Sequence, residues 1–260
     1  MKKTIITIAA LLGLAEIASA QQPHFTTSGT VEYQRRVNVF AMIKKITDND
    51  KDKQDEAVWV PALEAYKKAN PQFKTLKSTL SFSDNKTLFT PADADPVTGF
   101  MSFAPLMTQN NTIYTDLNEH ISTGERKIFD ETFLVKDSTR KIKWKITDET
   151  RDIAGYTCRR ANGLMLDSIY VVAFFTGKIP VPGGPESFNG LPGMILGVAL
   201  PHENVTWFAT KVTDTSLPPN AVGPPKKGKP LDEKGFREKL INALKDQGPI
   251  ASGLINGFLF

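Results

Sequence analysis

The chain holds three histidines and one cysteine among 28 carboxylates, and the spacing of these groups is the first test of any proton transfer, metal binding or nucleophilic chemistry. His24, His120 and His202 lie far apart, and no two have the spacing at which one helix or hairpin offers a pair of imidazoles to a metal. His202 and Glu203 are adjacent, which on a strand sends the side chains to opposite faces; after Pro201 they read as a surface turn. Asp148-Glu149 and Asp130-Glu131 are also neighbours, whereas hydrolysis of a glycoside needs two carboxylates facing one bond across a cleft. They read as solvated charge. Cys158 is the sole thiol and cannot pair within the chain. On a strand Tyr156 and Cys158 share a face, away from Arg159, so the sulfur is expected to act as a small buried apolar group. Trp144, Phe174, Phe175 and Trp207 could line a ligand groove, but at strand parity they read as core. No Gly-x-Ser-x-Gly elbow, phosphate loop or dinucleotide fingerprint occurs. The residues therefore assign no catalytic residue, no metal ligand and no cofactor. A hydrolase built from dispersed polar residues and a metal-binding protein stay open as alternatives.

The segment from Ile179 to Leu196 carries more information. Four glycines and four prolines are crowded into it and lead into Met194-Ile195-Leu196, so flexible and rigid backbone alternate where the chain turns sharply and enters a buried strand. Two readings are compatible. In one, a recognition loop at the sheet edge offers Glu186, Phe188, Asn189, Gly190, Leu191, Pro192 and Gly193 to a ligand or partner. In the other it is a structural turn in which Gly190 and Gly193 adopt backbone angles that other residues resist.

The amino terminus bounds the cellular setting. Lys2 and Lys3, an apolar run from Ile5 to Leu14 and Ala18-Ser19-Ala20 before Gln21 have the three-part form of a cleavable secretory signal. Cleavage is expected after Ala20, with export to the periplasm or the outer-membrane periphery and no transmembrane span in the mature chain, since the run is shorter than the ~20 residues a spanning helix needs. Removing residues 1–20 takes away two lysines and one glutamate and leaves 240 residues at a net charge of +3. Acidic and basic residues are interleaved, and Lys226-Lys227-Gly228-Lys229, the one compact basic cluster, sits among prolines. A nucleic-acid partner is not expected.

The elements that must position any site alternate mostly with period two. Phe25 to Ile46 reads as one long strand or two shorter ones, with Val31, Tyr33, Val37, Val39 and Ala41 inward. Trp59 to Pro71 reads as a helix with Pro61 in its first turn. Leu76 to Phe82 and Leu88-Phe89 form a hairpin about Ser83-Asp84-Asn85-Lys86. Ile113 to Leu117, Ile128 to Val135, Ile142 to Ile146, Tyr156 to Ala161, Ser168 to Phe175, Met194 to Leu200 and Val205 to Val212 read as strands, with a break at Thr123-Gly124-Glu125. Past Thr213 a proline-rich connector leads to Asp232 as helix cap and to Phe236, Leu240, Ile241 and Leu244 at amphipathic spacing. The terminal Gly253 to Phe260 is apolar enough to dock rather than hang free. The expected fold class is mainly β (α+β): a single curved antiparallel sheet or half-open barrel, with one helix in the N-terminal half and a C-terminal amphipathic helix.

Gly190-Leu191-Pro192-Gly193-Met194-Ile195 resembles the signature of the GLPGLI family, secreted proteins of Bacteroidota whose biochemical role is unassigned. The resemblance runs from about Leu80 to Thr210 through Leu80-Ser81-Phe82-Ser83-Asp84-Asn85, Phe133 to Asp137, Trp144-Lys145-Ile146, Ile153 to Ala161 and Ala173-Phe174-Phe175-Thr176. It departs in having Met194 for a leucine and Gly197 where an acidic residue is usual. The signature also resembles part of a domain that precedes the catalytic part in some peptide-N-glycosidases of these bacteria, and the order of elements resembles periplasmic lipoprotein carriers. Asp167-Ser168-Ile169 resembles an O-glycosylation acceptor of Bacteroidota. The expected division is a signal peptide at 1–20, a β domain of this family's type at 21–213, and a connector, helix and apolar tail at 214–260 packed on that domain. The expected function is that of a non-enzymatic cell-envelope protein binding a hydrophobic small molecule or an envelope protein partner.

Overall fold

A computed structural model describes residues 25–48, 56–92, 105–108, 111–166, 169–246 and 251–259. The expected signal at 1–20, most of the charged interruption after Asp48 and the Asp167-Ser168 glycosylation motif lie outside the described residues. Twelve strands form one sheet: β1 Gly29–Asn38, β2 Phe73–Ser83, β3 Lys86–Pro91, β4 Thr112–Asp116, β5 Ile121–Ile128, β6 Glu131–Ser138, β7 Lys143–Ile153, β8 Tyr156–Met165, β9 Ile169–Thr176, β10 Met194–Leu200, β11 Val205–Asp214 and β12 Lys229–Leu231. Their order is β12-β6-β5-β4-β3-β2-β1-β11-β10-β9-β8-β7. The fold is thus mainly β and the sheet is open. Among the described residues no ladder joins its edges β12 and β7, so the pairing shows an open sheet in place of the half-open barrel expected. It is also not wholly antiparallel: β12 runs parallel to β6.

Local chemistry explains the tight hairpins. Asp84 and Asn85 both have positive φ between β2 and β3, and so do Ala154 and Gly155 between β7 and β8, the mirror-image turn that matches strand twist. Two expectations fail for local reasons. The strand begun at Phe25 does not continue to Ile46; it gives way at Asn38 to helix α1, Val39–Asp48, because the Asn38 side chain accepts the Ala41 N–H and caps the first turn. The run Ile128 to Val135 is not one strand, because the chain reverses at Phe129, which takes φ +50; Gly124, read as a break, instead lies inside β5. Helix α2, Glu56–Ala69, starts earlier than expected and holds Pro61 within it. A short helix α3 covers Pro105–Thr108.

The interior divides into three apolar clusters. One gathers α1, α3 and the inner positions of β8 to β11 around Trp207, Phe188 and Leu191. A second joins Tyr33, Phe82, Phe89 and Ile113 to Ile179, Val181 and Leu196. The third lies under the C-terminal helices α4, Glu233–Leu244, and α5, Ala251–Leu259; there Phe236, Leu240, Leu244, Leu254 and Leu259 cover Ile128, Phe133 and Val135. Asp232 caps α4 by accepting the Gly235 N–H at 2.7 Å. Ile241, expected on the buried stripe, is 46% exposed. Among the described residues no helix is long and apolar enough to cross a membrane.

One connection matters for the site. β6 and β7 are ten places apart in the strand order, about 48 Å if laid flat at ~4.8 Å per strand, yet residues 139–142 alone join them and reach less than ~20 Å. The end of β6, the start of β7, the end of β8 and the C-terminal helices meet at this corner.

Candidate functional site

The corner holds a cavity of about 300 Å³. Its floor comes from the β5–β6 ladder, where Ser122 stands opposite Asp137, Gly124 opposite Val135 and Arg126 opposite Phe133. A Cβ on Gly124 would sit 3.3 Å from Arg126 Nε, so the missing side chain gives the guanidinium its lane back along the strand. Arg126 is almost fully buried; its Nη1 lies 3.3 Å from Glu233 Oε1, its guanidinium lies 5.4 Å from the Phe236 ring centroid, and its Nε has no hydrogen-bond partner among the described residues.

Asp137 faces the cavity with its oxygens engaged. It accepts the backbone N–H of Ser138 at 2.6 Å and of Glu233 at 3.1 Å, and these two bonds hold its carboxyl below the usual range. Arg140, on the β6–β7 connection, donates to the Met165 thioether and the Leu259 carbonyl. Burial, and then the neighbouring Arg126 charge, lowers its pKa to about 10. Lys141 and Ser138 stand at the exposed mouth, and Ser187 from the glycine-proline segment completes the wall.

That segment is buried in the body of the sheet, away from its edge. Between β9 and β10 it is pinned by Met194 N–H to Ile179 O, Ile195 N–H to Gly183 O and Gly190 N–H to Pro182 O. Of the residues expected to meet a ligand, Glu186, Phe188, Asn189 and Leu191 are 3%, 2%, 9% and 1% exposed. Gly193 is buried too, while Gly190 and Pro192 reach solvent. Phe188 meets Trp207 edge-on at 5.8 Å, and the Asn189 carbonyl accepts the Trp144 indole N–H at 2.9 Å. The loop therefore behaves as a plug. Gly190 at φ +90 and Gly193 at φ +140 occupy angles that favour glycine.

Glu186, in the plug, lies 3.6 Å from Arg35 of β1 with both side chains sealed. Burial raises the Glu186 pKa to about 7 against the opposing pull of Arg35, Arg126 and Arg140, and burial lowers Arg35 to about 10. The Arg35 guanidinium also lies 5.1 Å from the Trp207 ring centroid. Glu186 thus feels both Arg35 and the cavity arginines without being open to solvent.

The other candidates stay apart. Cys158 is buried, and its thiol is pushed up to about 12 by burial and then by Asp152. His202 lies in a 3-10 turn at Pro201–Glu203, where Lys45 contacts both the His202 carbonyl and Glu203. Asp148 and Glu149 pair with Arg159 and Arg160 at the surface. Among the described residues no group of three His, Cys, Asp or Glu is placed to hold a metal. Gly197 has no room for the acidic side chain usual in the resembling family, since its Cβ would lie 2.7 Å from the Phe208 ring. Ser122 and Arg126 of β5, Arg140 of the β6–β7 connection and Glu233 of α4 come together from three parts of the chain and escape a sequence reading. Gly124 amid alternating residues was the one available signal.

A family model described as "Protein of unknown function (Porph_ging)" matches residues 164–197, from the end of β8 through the plug into β10. This is the segment bearing the glycine-proline signature, although the match does not return the GLPGLI name. No curated protein matches the chain. Among solved structures, PNGF-II in a C2 space group aligns with a TM-score of 0.51 at 13% identity over 84% of this chain and 33% of its own. PNGF-II in P21 aligns at 0.49 with 15% identity over 84% and 34%. An uncharacterized conserved protein from Thermus thermophilus aligns at 0.39 with 7% identity over 85% and 99%. The chain spans about a third of PNGF-II, and that likeness is one of fold. The chain therefore carries, over its signature segment, the match to an uncharacterised family, on a mainly β fold similar to part of PNGF-II.

Proposed function

We propose that the protein is a non-enzymatic component of the cell envelope, periplasmic or associated with the outer membrane, that binds a small polar ligand in the cavity beside β5 and β6. The observation that carries this reading is a cavity of about 300 Å³ lined by the cationic side chains of Arg126, Arg140 and Lys141. The apolar interior is filled by the chain's own side chains, so the polar cavity is favoured over a hydrophobic cleft. The groups around it favour holding over turnover. Arginines keep their protons near neutral pH, and Asp137 is committed to two backbone donors. Glu186, whose pKa of about 7 would suit a general acid, is sealed in the plug.

The test compares the chain from Gln21 to Phe260 with its Ser138→Trp variant, which puts an indole at the exposed mouth. Both are recovered from native envelope fractions and examined by native mass spectrometry. A small-molecule adduct on the former that is lost from the variant is the expected result. An adduct equally retained by both, or none on either, rejects the cavity as the binding site. Amino-terminal sequencing of the recovered chain should begin at Gln21.

A further inference from the structure

Resting on that reading of the cavity, we infer that its ligand is a small hydroxylated molecule bearing a single carboxylate. Arg126 spends Nη1 on Glu233 and leaves Nε without a partner in a nearly sealed position. A buried donor left unmade is costly, and because the Arg126 side chain lines the cavity, an anionic oxygen held there would gain a charge-assisted interaction with its guanidinium. Arg140 gives its guanidinium to two neutral acceptors, a thioether and a carbonyl, so these hydrogen bonds bring no carboxylate oxygen to its charge.

The balance of charge selects the ligand's valence. Arg126, Arg140 and Lys141 line the cavity against Asp137 and Glu233, while Arg35 faces Glu186 of the plug. Above pH 7, where Glu186 is ionised and offsets Arg35, one positive charge is left over. A monocarboxylate neutralises it, whereas a phosphate dianion would overshoot and meet the two resident carboxylates. Hydroxyls of Ser122, Ser138, Thr139 and Ser187 also line the space; Ser122 and Ser138 donate to the Tyr114 carbonyl and to Asp137 and keep lone pairs to accept with, which matches a body carrying hydroxyl groups. The volume lies at the lower end of the roughly 300–1,000 Å³ typical of ligand pockets, so the ligand is small.

Isothermal titration calorimetry at pH 8, where Glu186 is ionised and phosphate is mostly the dianion, tests this on the chain from Gln21 to Phe260 with four probes: gluconate, acetate, glucose and inorganic phosphate. Gluconate is expected to bind at least about tenfold more tightly than the other three. Lys141→Glu, at an exposed position that leaves folding intact, should weaken gluconate about tenfold or more by reversing the mouth charge, and Arg126→Lys should weaken it too, by removing the guanidinium while keeping the charge. Glucose or phosphate binding as tightly as gluconate, or an unaltered affinity in Lys141→Glu, overturns the assignment. If no probe binds while the Ser138→Trp comparison still shows a displaced envelope ligand, the carboxylate falls and the cavity reading stands. If that comparison also fails, both fall.

Discussion

At the scale of single residues, the buried Arg35–Glu186 pair dominates the electrostatics. Taking two charges from water is expensive, and their attraction offsets it only while both are present. Arg35→Met alone is expected to cost about 3–5 kcal/mol, and adding Glu186→Leu should recover most of that loss; urea unfolding of the two variants measures it, and a double variant no better than the single would show that the pair is not coupled. The same carboxyl sets a pH dependence. Its folded pKa of about 7 lies above the ordinary 4.5, so its contribution is complete below pH 4.5 and is lost as the pH rises to 7, where the unfolded chain has released a proton that the folded chain retains. The loss is on the order of 3 kcal/mol. Glu186→Gln should flatten the unfolding midpoint between pH 4.5 and 8, and an unchanged slope would assign that dependence elsewhere. Cys158, fully buried with its thiol raised to about 12, should resist thiol reagents at pH 8 until denaturant is added. Rapid labelling of the native protein would contradict its place in the core.

At the scale of elements, the plug is held by backbone geometry. A Cβ on Gly193 would lie 2.2 Å from the Thr176 carbonyl oxygen at φ +140, whereas one on Gly177 would come no nearer than 3.8 Å to the Pro192 carbonyl. Gly193→Ala is therefore expected to destabilise strongly, with strain on the order of 1–3 kcal/mol before the steric overlap is relieved, and Gly177→Ala by far less. Thermal melts of the two compare them directly, and equal shifts would mean that the plug does not depend on this angle. The elements were partly legible in the chain. Hairpins with Asp-Asn or Ala-Gly at the turn, the β10 run after Gly193 and the Asp232 cap follow from local rules. The end of β1 and the position of Gly124 do not, because an asparagine that caps and a glycine that yields to an arginine look locally like strand continuation and strand break.

At the scale of the molecule, α4 and α5 close one end of the sheet over Ile128, Phe133 and Val135. Phe236, Leu240 and Leu244 are fully buried there, each worth roughly 1.5–3 kcal/mol. Deleting residues 232–260 should bare that face, lower the melting temperature and raise binding of an apolar dye; an unaffected melt would show that the helices add nothing to the sheet. The deletion also removes Glu233 from Arg126 and the Leu259 carbonyl from Arg140, so the cavity and the C-terminal helices stand together.

What the sequence by itself determined is the β-rich character, the turns and the shaped glycine-proline segment, since period-two alternation and positive-φ residues act over a few positions. Only the tertiary structure decided that this segment is a plug closed over Glu186, and that β6 and β7, ten places apart in the pairing order, meet at a corner lined by Arg126 and Arg140. Pairing order and the meeting of distant side chains arise from long-range contacts. Burial there turns ordinary charged residues into a sealed pair and an unsatisfied guanidinium, and no local pattern records it.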